Sequence, residues 1–198
     1  MNRKLMLIAV LSGTLIIACS REKEAVDPSS PAYHIAESEK LIIPAAIDLP
    51  ASTHGHTRIA TYYAEGVQKY VAQVKFGGNP TTYEWVLNGP QADLYSADNK
   101  KVGTHGFWPF WQISTTDSIF AQSSNPPAIA VSLDSASINW LLLVPKSGRV
   151  PTGIFANVTY IQRIATKGGK APATPPVAIH ETASVPYTAI YRFTKKNP

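Results

Sequence analysis

The chain holds one cysteine, Cys19, and no second thiol to pair with it. An internal disulfide is excluded, although an exported setting would permit one. With Cys19 spoken for, as argued below, no thiol remains for a nucleophile or a zinc knuckle. Gly-x-Ser-x-Gly, His-Glu-x-x-His and Gly-x-x-x-x-Gly-Lys-Ser/Thr are all absent, which removes the serine-hydrolase elbow, the zincin helix and the phosphate loop. Acidic residues are few, 13 against 18 basic ones. For a two-carboxylate glycosidase, only Glu84 beside Trp85 and Asp117 near Trp111 stand out as a pair to test. No basic face is clustered enough for nucleic acid. The net charge of +5 drops to +3 once Arg3 and Lys4 leave with the leader described next.

What is present begins at the N-terminus. Met1-Asn2-Arg3-Lys4 precedes an apolar stretch from Leu5 to Ala18. A basic start, an apolar centre and a small residue before the cut site make a secretory signal peptide over residues 1–18. The stretch contains Ser12, Gly13 and Thr14 and falls short of the roughly 20 apolar residues that span a bilayer. Ile16-Ile17-Ala18-Cys19 resembles the bacterial lipobox, in which cleavage before cysteine exposes a thiol that carries lipid. Two or more acyl chains hold a protein stably at a membrane. The expected partner of Cys19 is therefore a membrane, the expected place the cell envelope. Ser20, where an inner-membrane retention signal has aspartate, favours the outer membrane. Residues 19–38 are polar and charged and read as a flexible tether, leaving residues 39–198 as one domain.

That domain reads as all-β, an antiparallel sandwich or barrel with few or no helices. Its prolines and glycines, 16 and 12 in the whole chain, punctuate short apolar runs. Val67 to Phe76 alternates, with Tyr70, Ala72, Val74 and Phe76 on one face; Tyr83, Trp85 and Leu87 follow in phase after a Gly77-Gly78-Asn79-Pro80 turn. Ile138 to Val144 is continuously apolar, as in a strand covered on both sides. Ile154 to Thr166 and Val185 to Phe193 alternate again, the latter through Tyr187, Ala189 and Tyr191. Short helices are expected only near Ser38 to Leu41 and Pro90 to Ala97.

Several blocks carry a family resemblance. Gly66-Val67-Gln68-Lys69-Tyr70, Val102-Gly103-Thr104-His105, Pro109-Phe110-Trp111, Ile138-Asn139-Trp140-Leu141-Leu142, Tyr160-Ile161-Gln162-Arg163, Thr166-Lys167-Gly168-Gly169-Lys170-Ala171-Pro172 and Pro186-Tyr187-Thr188-Ala189-Ile190-Tyr191 occur in that order. Together they resemble the domain-of-unknown-function family 3455, exported proteins of bacteria and fungi. The resemblance covers roughly Leu41 to Phe193 and implies an all-β domain without an assigned activity. It also implies two cysteines that this chain replaces, one with Ala72 and one within Pro175-Pro176-Val177, as if one bridge had been lost.

Six residues stand out as candidate ligand contacts: His105, Trp108 and Trp111 in an aromatic loop, and Gln68, Gln162 and Arg163 on strands. Aromatic rings stack on sugars and apolar ligands, and imidazole donates or accepts a hydrogen bond. Gln68 and Gln162 are amides on otherwise apolar faces. Each either pairs inside the core or floors a pocket. His54-Gly55-His56 lacks an obvious third ligand, so neither a metal nor another cofactor is expected. Arg163, Lys167 and Lys170 around Gly168-Gly169 would suit an anion, but solvated lysines on a β-turn account for the same pattern. The expectation is a lipid-anchored module that binds a small molecule or glycan, with catalysis left undecided. A hydrolase or lyase acting on an envelope substrate, and a protein-docking module, stay open as alternatives.

Overall fold

The computed structural model describes residues 27–77, 82–132 and 134–198. The leader and Cys19 lie outside the described residues. Eight antiparallel strands run in chain order and close on themselves: β1 (His56–Val74), β2 (Tyr83–Tyr95), β3 (Lys101–Gly106), β4 (Phe110–Gln112), β5 (Ser118–Ala130), β6 (Trp140–Pro145), β7 (Tyr160–Gly168) and β8 (Thr182–Lys196). The fold is a barrel, and of the two architectures the alternation allowed, closure leaves no open sheet edge to protect. Pairing of β1 with β8, from His56↔Lys196 to Val71↔Thr182, makes the seam.

Strand alternation divides the apolar residues between two cores. Tyr62, Ala64, Leu94, Trp111, Ile161 and Phe193 belong to the one inside the barrel. Phe155, on a 3-10 turn at Gly153–Phe155, packs into the same cluster near the end where β1 begins. The second core lies outside. Tyr63, Leu142, Ile164 and Ile190 alternate with interior neighbours and are covered by Ile35 and Ile47 of the N-terminal segment. Eight-stranded barrels of this kind leave an interior that side chains fill or that admits one small ligand.

The covering segment corrects the reading of residues 19–38 as tether throughout. Pro31–Ser38 is an α-helix, α1, with Ser30 as N-cap accepting from the Tyr33 N–H and proline in its first turn. Ile35 and Ser38 are buried against the barrel. A 3-10 turn at Ala45–Ile47 follows, and Ile47 is fully buried. Arg192 of β8 donates to the Ser38 carbonyl at 2.7 Å and meets Glu39 at 3.2 Å. The helix expected near Ser38 to Leu41 thus lies earlier, and Pro90 to Ala97 is mostly the end of β2 rather than a helix. The alternation expected from Ile154 begins only at Tyr160. Val74 and Phe76, expected on a buried face, are exposed where β1 reaches past the core.

Candidate functional site

Unequal strand lengths make an opening in the barrel wall. β2 and β5 have 13 residues each, whereas β3 has 6 and β4 has 3. Pairing of β2 with β3 covers only Ala92 to Tyr95, and pairing of β5 with β4 covers only Ser118 to Phe120. The β3–β4 hairpin is therefore a low wall between two tall ones. Above it a cavity of about 380 Å³ enters the barrel, a size suited to one small molecule.

Two irregularities shape the entrance. A bulge in β2 skips Asn88, so that Lys69 faces Gly89 and Tyr70 faces Leu87; this brings both Leu87 and Pro90 to the cavity. Gly89 has φ +112°, and a Cβ there would lie 2.5 Å from the Phe107 ring. Only glycine lets the hairpin tip seat against β2. The tip itself, Phe107-Trp108-Pro109, carries Trp108 at φ 59°. Trp108 is more than half exposed, and Lys146 Nζ sits 4.2 Å from its ring centroid, a cation–π contact that holds the indole at the rim.

The floor is aromatic. His105 on β3 stacks on Trp111 of β4, centroids 4.5 Å apart and planes 8° from parallel. The Tyr191 ring of β8 stands edge-on to both, at 4.8 and 5.1 Å. This corrects the picture of His105 and Trp111 as residues of an aromatic loop. Both lie on strands, face inward and are buried; Phe107, Trp108 and Pro109 at the turn are exposed. His105 Nδ1 is 2.9 Å from the Phe110 carbonyl. A carbonyl only accepts, so Nδ1 carries the proton and Nε2 a lone pair. Burial holds the imidazole neutral, its pKa pushed down to about 3. Burial likewise keeps the phenols of Tyr187 and Tyr191 protonated.

Two polar atoms in this floor are orphans. Trp111 Nε1 and Tyr191 Oη are fully enclosed by side chains yet make no hydrogen bond of regular geometry within the protein. Tyr187 and Arg163 both lie within hydrogen-bonding reach of the Tyr191 phenol and shift it, though neither contact has regular hydrogen-bond geometry. Arg163 of β7 enters the cavity from the far side. Its Nε and Nη2 donate to the Asn139 carbonyl at 3.1 and 2.9 Å, and no carboxylate lies within ion-pair distance of it among the described residues.

The structure brings five of the six candidate residues together: Gln68, His105, Trp108, Trp111 and Arg163 all border the cavity. Gln162 does not. Strand alternation places it on the outside of β7, where its Nε2 donates to the Ile47 carbonyl at 2.9 Å. It anchors the covering segment, and its role is the structural pairing that was the other reading of a buried amide. Tyr191 was legible only as one more residue of an alternating strand, yet a phenol on an inward apolar face carries the same signal as Gln68. Glu84 and Asp117 sit toward opposite ends of the barrel, and Asp117 is engaged by Ser114 and the Ile154 N–H. They form no catalytic pair. Lys170 donates to the Ser135 carbonyl and Lys167 is exposed, so neither joins Arg163. His54 and His56 lie beside the Gly55 turn, with no third His, Cys, Asp or Glu near enough to complete a metal site among the described residues.

A family model described as protein of unknown function (DUF3455) matches residues 52–195. The chain belongs to this family. The match spans every strand of the barrel and every residue that borders the cavity. No curated protein and no solved structure matches the chain.

Proposed function

We propose that this barrel is a binding protein for one small, largely apolar molecule, which enters between β2 and β5 over the β3–β4 hairpin. The observation that carries the reading is the pair of donors without regular partners, Trp111 Nε1 and Tyr191 Oη, in the floor of a cavity bordered mostly by apolar side chains. A buried donor without a partner costs on the order of 1–3 kcal/mol. Leu94, Ile161 and Phe193 fill much of the rest of the interior with apolar side chains, although Tyr187 Oη there is likewise without a regular partner. Polar atoms kept at such a cost suit a ligand that accepts from them. Asp and Glu are absent from the lining, which disfavours a glycan, whose many hydroxyls need acceptors, and leaves no carboxylate for acid–base hydrolysis. With the lipid expected on Cys19, the barrel would work tethered to an envelope membrane, the outer one favoured by Ser20. Partition of a Cys19→Ser variant between membrane and soluble fractions tests the anchor.

A thermal-melt screen tests the binding reading. Ligands at a hundred times their dissociation constant add about 2.7 kcal/mol, a rise of roughly 5–10 °C at this chain length. The panel holds apolar acids, amides and alcohols, sugars, phosphates and divalent metals. A rise given by an apolar compound and lost in Trp108→Ala, a rim substitution outside the core, is the expected result. A flat response to every apolar compound, with a cooperative melt, contradicts it.

A further inference from the structure

The cavity's charge and hydrogen-bonding inventory narrows the ligand further. Arg163 is the one cation among the lining residues. Its Nε and Nη2 serve the Asn139 carbonyl, so the guanidinium is fixed in place while its charge stays uncompensated. The carboxylates that form ion pairs, Glu37, Glu39, Asp93 and Asp98, all pair with other cations. Lys146 rests on the Trp108 ring and is not part of the lining. The cavity therefore offers one positive charge to its occupant.

The neutral groups around that charge are mostly donors. Trp111 Nε1 can only donate, and it has no partner. Tyr191 stays protonated, and its hydroxyl, beside Tyr187 and Arg163, has no partner of regular geometry. Gln68 contributes an amide at the wall. His105 Nε2, the Gln68 amide oxygen and the Ser123 hydroxyl can accept, so the donors without partners are what set the preference. An unpaired cation beside two unpaired donors in a partly enclosed site is arranged for an acceptor that carries negative charge, since hydrogen bonds to an ionised acceptor are about twice as strong as neutral ones. The count of one cation suits a monoanion; a dianion would be left with an uncompensated charge in a poorly hydrated place. Against this polar corner stand Leu87, Phe107, Trp108, Leu141 and Leu143, which can serve only an apolar body.

Building on the small-molecule reading above, we infer that the ligand is an organic monoanion: a compact aromatic or aliphatic body with a carboxylate head, the head against Arg163 and the orphaned donors, the body under the Phe107–Trp108 tip. Arg163 lies in the Tyr160-Ile161-Gln162-Arg163 block, so that one strand segment supplies both the charge inside and, through Gln162, the anchor outside.

Matched pairs of probes test the head group separately from the body. Isothermal titration calorimetry on the full-length protein compares 2-naphthoate with 2-naphthamide and octanoate with octanamide, each pair alike in body and different in charge. The expected result is acid binding about tenfold or more tighter than its amide in at least one pair. Arg163→Gln brings acid and amide within about twofold by weakening the acid alone, while Arg163→Lys, which keeps the charge, retains most of the preference. Equal affinities for acid and amide in the unaltered protein, or a preference that survives Arg163→Gln, overturn the inference and leave the small-ligand reading standing. Failure of all four probes to bind overturns both. The unchanged affinity of Arg163→Gln for the amide shows that the variant is folded. Should that variant fail to fold, comparison of acid with amide in the unaltered protein still decides.

Discussion

Individual residues in the barrel do opposite kinds of work with the same chemistry. Gln162 and Gln68 are both almost fully buried amides; one is spent on a backbone carbonyl outside the barrel, the other borders the cavity within it. The sequence showed two amides on apolar faces and nothing more, because alternation reports that a face is buried and not which of two cores buries it. His105 is a sharper case. Its neighbours Gly103, Thr104 and Gly106 suggested a loop, yet pairing with Ala92 and Trp111 makes it strand and drives it inward. The consequence is measurable. The folded state refuses a proton that the unfolded chain takes up below pH 6.5, since burial holds the His105 pKa at about 3. Stability is unaffected above that window and falls as pH drops from 6.5 toward 3, approaching about 1.4 kcal/mol per pH unit. Denaturant melts between pH 4 and 7 should show this slope, and His105→Gln should flatten it. An unchanged slope in the variant would mean that carboxylates alone set the acid sensitivity.

At the level of elements, the long strands were visible and the functional ones were not. β1 and β8 run 19 and 15 residues, and alternation over Val67 to Phe76 and Val185 to Phe193 marks part of each. β3 and β4 are too short for alternation to be distinguished from chance, and β5 is interrupted by Asn125-Pro126-Pro127, where its pairing with β6 jumps from Ser123 to Ala128. The site occupies the very gap that these short strands leave. The covering helix was hidden for a related reason: over its eight residues only Ile35 is a buried apolar side chain, so no periodic stripe marks it. Its hold on the barrel comes instead from polar anchors supplied by distant strands. Gln162→Ala should strand the Ile47 carbonyl and lower stability by about 1–3 kcal/mol, read as a fall in melting temperature, without altering ligand affinity. A loss of affinity equal to that of a cavity substitution would place Gln162 in the site after all.

For the whole molecule, closure supplies rigidity and unequal strand length supplies access. A barrel whose eight strands all ran full height would close the cavity that borders Trp111 and Tyr191; one with an open edge would not hold their geometry. The alternating faces and the family blocks made an all-β domain legible. They left closure undecided, because register between distant strands is not written in local pattern. The central claim is that polar atoms are kept unsatisfied in the floor for a ligand's use, and Tyr191→Phe addresses it most directly. The substitution removes one hydroxyl and leaves the ring edge-on to His105 and Trp111 as before. Differential scanning of the ligand-free protein should show the variant melting no lower than the unaltered chain, while the melting rise given by a bound apolar acid shrinks. A ligand-free melt lower by the equivalent of about 1 kcal/mol or more, with the ligand's effect intact, would show that the hydroxyl serves the fold, and would contradict the account.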